Sequence, residues 1–319
     1  MARHELGPAA FEVARAVAAV MPSGEVIVGC SGGADSLALA LGAQWAAPRC
    51  DAQVLAVVID HGLQPASAQT ARRVVEQLRS RGISAQVRRV HVDAASADGP
   101  EAAARDARLA ELGGDGLPVL LGHSLDDQAE TVLLGLLRGS GTRSLAGMAA
   151  ARGPFLRPLL GVRRATLRDA CHQWGLEVWD DPHNQDPRFA RVRARRHLAG
   201  MAAELGRDLA PALARTATLA RADADLLDEL AWQTLPGPLG EEFQVLSLAG
   251  QPSAVRWRAL LSWLSENGLP EVAMVHILAV DALVVDWRGQ GPVAVPGGTV
   301  ARSQGRLSLT RTWPAATGR

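Results

Sequence analysis

Residues 25–36 read Glu25-Val26-Ile27-Val28-Gly29-Cys30-Ser31-Gly32-Gly33-Ala34-Asp35-Ser36, and the N-terminal half repeats their plan. Val26-Ile27-Val28 is a β-branched run that suits a strand, Ser31 to Gly33 is a turn, and Ser36 to Ala47 has the Leu/Ala content of a buried helix. Outward from it, Val54 to Ile59 is a second strand, and Ala66 to Arg81 a second helix closed by Gly82. Ile83 to Val90 alternates with period two, Glu101 to Leu112 is helical, Val119-Leu120-Leu121 is a fourth strand, and Asp126 to Arg138 is another helix. Strand and helix alternating at this spacing predict an α/β fold with a doubly wound, mostly parallel sheet. Ligands of such sheets lie beyond the carboxyl ends of the strands, so the residues that follow each strand are the candidates for chemistry.

After Arg143 the alternation loosens. Arg163 to Trp174 predicts a helix, Val178-Trp179 a short strand end, and Asp180 to Arg196 a polar, Arg-rich stretch. Leu209 to Leu235 is long, Ala-rich and helical in period, Pro236-Gly237-Pro238 breaks it, and Ala254 to Ser265 is helical again. Pro292 to Leu309 reads as short strands around Pro296-Gly297-Gly298. A domain boundary is expected between residues 205 and 220. Placed at 215, it separates a catalytic domain, 1–215, from a smaller, mainly helical one, 216–319.

Composition removes several classes of function. The 319-residue chain has no Lys, so all 33 basic residues are Arg, and it has no Tyr. A Walker A loop, a Schiff-base enzyme and a tyrosine nucleophile are therefore excluded. Formal charge is zero, so a polyanion must be held by local Arg clusters. Arg188, Arg191, Arg193, Arg195 and Arg196 form one run without an acid, and Arg288, Arg302, Arg306, Arg311 and Arg319 another. Cys30, Cys50 and Cys171 have no paired spacing, which argues against a disulfide framework or zinc site and suits a reducing compartment. No apolar run approaches the ~18 residues of a membrane span, and Glu5, Glu12 and Arg15 interrupt any signal-peptide core. A soluble, cytoplasmic protein is expected, with no membrane partner.

Three strand ends carry chemistry. Ser31 to Ser36 offers two glycines, two hydroxyls and a helix N-terminus, an anion cradle in which Asp35 makes sense beside a metal. The plainer reading is a Gly-rich turn with Ser or Asp capping the helix. Asp60-His61-Gly62-Leu63 places His61 where it can line a nucleotide pocket or lie half-buried with no role. After the fourth strand, His123, Asp126, Asp127 and Glu130 bring three carboxylates and an imidazole to a helix N-terminus. They suit Mg2+ or an ammonium group, or merely the helix dipole. Glu101 and Arg105, four apart, taken alone form a surface ion pair.

Ser31-Gly32-Gly33-Ala34-Asp35-Ser36 resembles the PP-loop of the ATP pyrophosphatases. Together with Asp60 to Leu63, Glu101 to Arg108, Gly122 to Met148, Arg157-Pro158-Leu159-Leu160, Asp181-Pro182-His183-Asn184 and Phe189 to Arg195, it looks like tRNA(Ile)-lysidine synthetase. The likeness spans about residues 25 to 200. It departs at Ser124, Gln64 and Val192, where the family usually has His, Arg and Asn, and the C-terminal extension of longer members is not expected. The resemblance implies adenylation of C2 of the wobble cytidine in a CAU-anticodon tRNA(Ile), followed by attack of free L-lysine. The implied cofactors are ATP and Mg2+, and a homodimer is compatible. ATP is then expected at Ser31, Gly32, Gly33, Ala34, Asp35, Ser36 and His61, and Mg2+ at Asp35 and Asp127. Asp35, His123, Asp127 and Glu130 are the expected catalytic residues. Asp126, Arg105, Arg191 and Arg195 are expected to meet lysine or tRNA. Region 216–319 would recognise the substrate.

Three alternatives remain open. A tRNA-thiolating PP-loop enzyme usually needs paired or mobile cysteines; an amidotransferase-type synthetase shares only the first loop. A non-enzymatic RNA-binding or AMP-sensing module would keep the arginines without needing the acidic helix.

Overall fold

A computed structural model describes residues 6–62, 67–91, 100–139, 141–179, 186–235, 240–269 and 271–312. The chain divides into two units, Met1–Leu219 and Ala220–Arg319. The strands of the first unit are β1 (Gly24–Cys30), β2 (Ala52–Asp60), β3 (Ser84–Arg89), β4 (Val119–Leu121), β5 (Ala151–Arg152) and β6 (Phe155–Leu156). They form one sheet in the order β3-β2-β1-β4-β6-β5, parallel except for the β5–β6 hairpin at its edge. Its helices are α1 (Pro8–Ala18), α2 (Ala34–Ala46), α3 (Ser67–Ser80), α4 (Pro100–Gly113), α5 (Leu125–Leu137), α6 (Gly141–Leu145), α7 (Arg164–Gln173) and α8 (Ala190–Leu205).

The period-two alternation of β1 sorts its side chains between two cores. Val26, Val28 and Cys30 pack with residues of α1, α2, α3 and α7, while Ile27 packs with Val57, Val119, Leu121 and Leu112 of α4 on the opposite face. Successive strands run outward from β1 to β3, and the chain then returns to place β4 on the other side of β1. That reversal opens a crevice beyond the carboxyl ends of β1 and β4. Two glycines keep it close-packed. A Cβ on Gly32 (φ +85°) would come within 2.5 Å of Val74 Cγ2, and one on Gly122 within 2.9 Å of the Asp35 carbonyl oxygen.

The division between units falls within α9 (Ala210–Thr234), and α10 (Leu246–Ala249), α11 (Ser253–Glu266) and α12 (Met274–Val285) follow. Helices make up more of the second unit than strands do, as expected, but it is not purely helical. Strands β7 (Glu242–Gln244), β8 (Val293–Val295), β9 (Gly298–Ser303) and β10 (Arg306–Arg311) form an antiparallel sheet in the order β7-β10-β9-β8. The extra strand is β7, whose Phe243 supplies an apolar side chain to a core built around Trp263, Leu248, Leu260, Val300 and Leu307. Asp281, buried on α12, accepts from Arg256 Nε (2.7 Å) and from the Trp257 indole (2.8 Å), which ties α11 to α12.

Two further local expectations are corrected. Val178-Trp179 is not a strand end: the Trp179 N–H donates to the Gly32 carbonyl (3.3 Å), with no ladder around it. The Arg-rich stretch becomes helix α8 from Ala190 onward, because Val192 and Ala194 give it a buried side. Residues 63–66, 180–185 and 236–239 lie outside the described residues, and with them Gln64, the Asp181–Asn184 motif and the Pro-Gly-Pro break. The cysteines are free, with Cys30 and Cys171 buried. Among the described residues no helix is long and apolar enough to cross a membrane.

Candidate active site

Ser31 to Ser36 joins β1 to α2 and is locked from within. Ser36, nearly buried, accepts from the Ser31 N–H (3.0 Å) and donates to the Gly33 carbonyl (3.0 Å). Its hydroxyl thus shapes the loop. The helix-cap reading fails at the expected residues: the N-cap of α2 is Gly33, with no side-chain cap. The Ser36 and Leu37 N–H groups donate to the Gly33 carbonyl, which leaves those of Ala34 and Asp35 in the first turn, at the helix N-terminus, the arrangement that favours an anion. Asp35 stands in that turn. Its Oδ1 is buried without a partner, and burial together with the nearby Asp127 charge raises its carboxyl pKa to about 6, despite Arg164.

Across the crevice, Ser124 is the N-cap of α5. The Asp127 N–H donates to Ser124 Oγ (3.3 Å), and Asp127 Oδ2 accepts from the Ser124 N–H (2.8 Å) and hydroxyl (2.9 Å), a capping box closed by Asp. Ser124, a departure from the family pattern, thus has a structural role. The acids cluster as expected, but each already has a partner. Asp126 Oδ2 accepts from the Arg164 N–H (2.8 Å) at the start of α7, and its Oδ1 lies 3.3 Å from Arg163. Asp127 Oδ1 accepts from Arg164 Nη2. Glu130, 1% exposed, accepts from Arg164 Nη1 (3.1 Å) and Arg195 Nε (2.7 Å). Burial would raise the Asp127 pKa, but Arg164 and the Ser124 hydrogen bonds outweigh it and hold the carboxyl below its usual value.

Arg164 is the residue that sequence reasoning missed. Its Nε also lies 3.5 Å from Asp35 Oδ2, so one guanidinium joins the carboxylates of α2 and α5. Burial works against its charge, but Asp127, Glu130 and Asp35 raise its pKa nonetheless. A signal was present in the sequence. Arg163 and Arg164 open a helix, where the dipole disfavours cations, so acids elsewhere had to hold them.

His61 follows β2 at the carboxyl edge, half-buried, its Nδ1 without a partner. Burial and the Arg108 charge lower its pKa. His123 is depressed further, to about 3, chiefly by burial, with Arg157, Arg191 and Arg108 adding to it against Asp127. It is a neutral imidazole at physiological pH. Arg108, from α4, has a buried Nε without a partner, and the charges of Arg105 and Arg191 lower its pKa further after burial. Arg105 itself is exposed on α4, and the side chain of Glu101 lies outside the described residues. The α5 side of the crevice is thus acidic and charge-matched, whereas Arg108, with its unpartnered Nε, and the Arg191 charge that acts on it offer guanidiniums suited to phosphate. Because folded His123 stays neutral while the unfolded chain takes up a proton below pH 6.5, stability falls as pH drops from 6.5 toward 3. His123→Gln is expected to remove about 2 kcal/mol of the stability lost between pH 7 and pH 5, read from urea melts at the two pH values.

In both runs, arginines have partners within the fold. Arg188 pairs with Asp186, Arg193 bonds the carbonyls of Pro187 and Arg188, and Arg195 is held by Glu130. The Arg191 charge lowers the pKa of both Arg108 and His123. The tail is not a bare basic face: Arg288 pairs with Asp286, Arg306 with Glu242 and Arg311 with Glu241, while Arg302 bonds the Leu283 and Val284 carbonyls. The strands bring acids from outside the run beside it. Arg319 lies outside the described residues.

Residues 9–201 match the PP-loop domain family and residues 243–308 the TilS substrate binding domain. A tRNA(Ile)-lysidine synthase from Cutibacterium acnes is 48% identical over 98% of this chain and 99% of its own length. Another, from Mycolicibacterium paratuberculosis, is 50% identical over 89% of this chain and 90% of its own. Among solved structures, the U34-tRNA thiolase NcsA from Methanococcus maripaludis aligns with a TM-score of 0.52 at 17% identity, covering 68% of this chain and 79% of that one, a likeness of fold.

Proposed function

The chain belongs to the tRNA(Ile)-lysidine synthase family, and we propose that it joins free L-lysine to C2 of the wobble cytidine of a CAU-anticodon tRNA(Ile), cleaving ATP to AMP and pyrophosphate. It is a PP-loop enzyme that uses ATP and modifies tRNA. The observation that carries the finer chemistry is the meeting of the α2 N-terminus with the α5 acids across the β1/β4 reversal. In the first step the cytidine C2 oxygen attacks the α-phosphorus and the P–O bond to pyrophosphate breaks. In the second, the lysine side-chain amine attacks C2, the C2–O bond breaks, AMP leaves with that oxygen, and one proton is released. Adenylation turns a poor leaving oxygen into a good one. Donors fixed before the reaction, the α2 N–H groups and the guanidiniums of Arg108 and Arg191, favour the charge that builds on the phosphates.

Mg2+ fits one atom best, the buried and unpartnered Oδ1 of Asp35. Asp127 would join it by releasing Arg164. Among the described residues no three His, Cys, Asp or Glu side chains cluster as a metal cage, so the phosphates would supply the remaining oxygens. When bound, the ion would offset charge on the departing pyrophosphate. His123, neutral, serves as a hydrogen-bonding group and not as the acceptor of the lysine proton. Recognition of the tRNA is assigned to residues 216–319, with Arg191 near the reacting nucleotide.

Labelled lysine incubated with the protein, ATP and Mg2+ should enter RNA only when tRNA(Ile) with a CAU anticodon is present, and digestion should return the label in one modified cytidine. Label entering without ATP, or none entering at all, would reject the proposal. Arg191→Ala is expected to make the fall of log K for tRNA with log salt shallower by about one, roughly 0.9 per lost phosphate contact. Arg195→Ala should leave that slope unchanged and lower the melting temperature, since its guanidinium is held by Glu130. Affinities at three salt concentrations check both.

A further inference from the structure

Arg164 bridges the two carboxylates assigned to Mg2+. Its Nε lies 3.5 Å from Asp35 Oδ2, its Nη2 bonds Asp127 Oδ1, and its Nη1 lies 3.1 Å from Glu130 Oε1. We propose that Arg164 is a positioning residue, the built-in counter-cation of the Asp35–Asp127 pair, which must give up those two contacts before the metal can enter, so that Mg2+ arrives with the nucleotide and not ahead of it. This rests on the ATP and Mg2+ reading of the same site.

The charges around the pair support it. Asp35, Asp127 and Glu130 face Arg164 and Arg195, which leaves one net negative charge, too little to draw in a divalent ion beside a guanidinium at contact distance. A triphosphate changes that balance by bringing its own negative charge. Glu130 gives Arg164 a pivot: buried at 1% exposure and held also by Arg195, it can keep Nη1 while Nε and Nη2 leave. Arg164 then remains beside the crevice as a donor for phosphate oxygens. Asp126, which fixes the Arg164 backbone N–H, keeps the start of α7 in place during the exchange.

Mn2+ binding to the nucleotide-free protein, followed by the paramagnetic signal of the free ion, tests the proposal without relying on activity. Arg164→Met, which removes the competing charge, should bind Mn2+ at least about tenfold more tightly than wild type. Arg164→Lys keeps the charge and should stay close to wild type. Adding Asp35→Asn to Arg164→Met should abolish the gain. A purely structural Arg164 predicts the opposite sign, since loosened carboxylates bind a metal less well. Equal or weaker binding by a cooperatively melting Arg164→Met overturns the proposal. If that variant does not fold, Arg164→Gln, which retains donors without charge, carries the same expectation. Micromolar Mn2+ binding to nucleotide-free wild type would overturn it with no variant at all. Formation of AMP by wild type, measured separately, distinguishes failure of this proposal from failure of the site reading.

Discussion

Asp35→Asn is expected to slow AMP formation about a thousandfold, the scale of removing one group that stabilises charge developing in the transition state. The side chain keeps its size, and the loop that carries it is locked by Ser36 instead. Folding should not suffer. Asp35 Oδ1 is buried without a partner and its carboxyl pKa is raised to about 6, so the ionised form costs stability above that pH. The neutral amide escapes that cost, and at pH 7.5 the variant should melt at or above the wild-type temperature. A single-turnover measurement of AMP beside a melting curve checks both. Retention of AMP formation within tenfold of wild type would remove Asp35 from the catalytic site.

Glu130→Ala is expected to cost about 3–5 kcal/mol, the penalty for breaking a buried ion pair and leaving its partners behind. Two arginines, Arg164 and Arg195, lose the same acid at once. For a unit of this size the melting temperature should drop by about 10 °C. Glu130 was expected to be catalytic; its pairs with Arg164 and Arg195 join α5 to α7 and α8, and we propose that it acts there as an anchor. Asp127 has a double role, half in the α5 cap and half on Arg164, so its replacement should lower stability as well as rate, whereas Asp35→Asn lowers rate alone. A melting temperature for Glu130→Ala within 2–3 °C of wild type would contradict the anchor role.

The first unit was legible because its strands carry their own signals. The β-branched run at Val26 to Val28 and the glycines after it state where β1 ends and why a ligand can approach there. Three features were not legible, each for a physical reason. Helix α12, Met-Val-His-Ile-Leu-Ala-Val-Asp-Ala-Leu-Val-Val, is apolar on nearly every side, so it has no period to read. Strand β7 is three residues long and draws its register from β10, more than sixty residues away. The pairing of arginines was hidden for the same reason: Glu130 meets Arg195 and Glu241 meets Arg311 only once the fold exists. Residue type and spacing brought the acids together on α5, but not the cations that balance them.

The position at which ATP is cut tests the account most directly. Wild-type protein, CAU-anticodon tRNA(Ile), lysine, Mg2+ and ATP labelled in the α-phosphate should give AMP in equal amount to pyrophosphate and to lysine incorporated. ADP and phosphate as the products would contradict adenylation at this crevice.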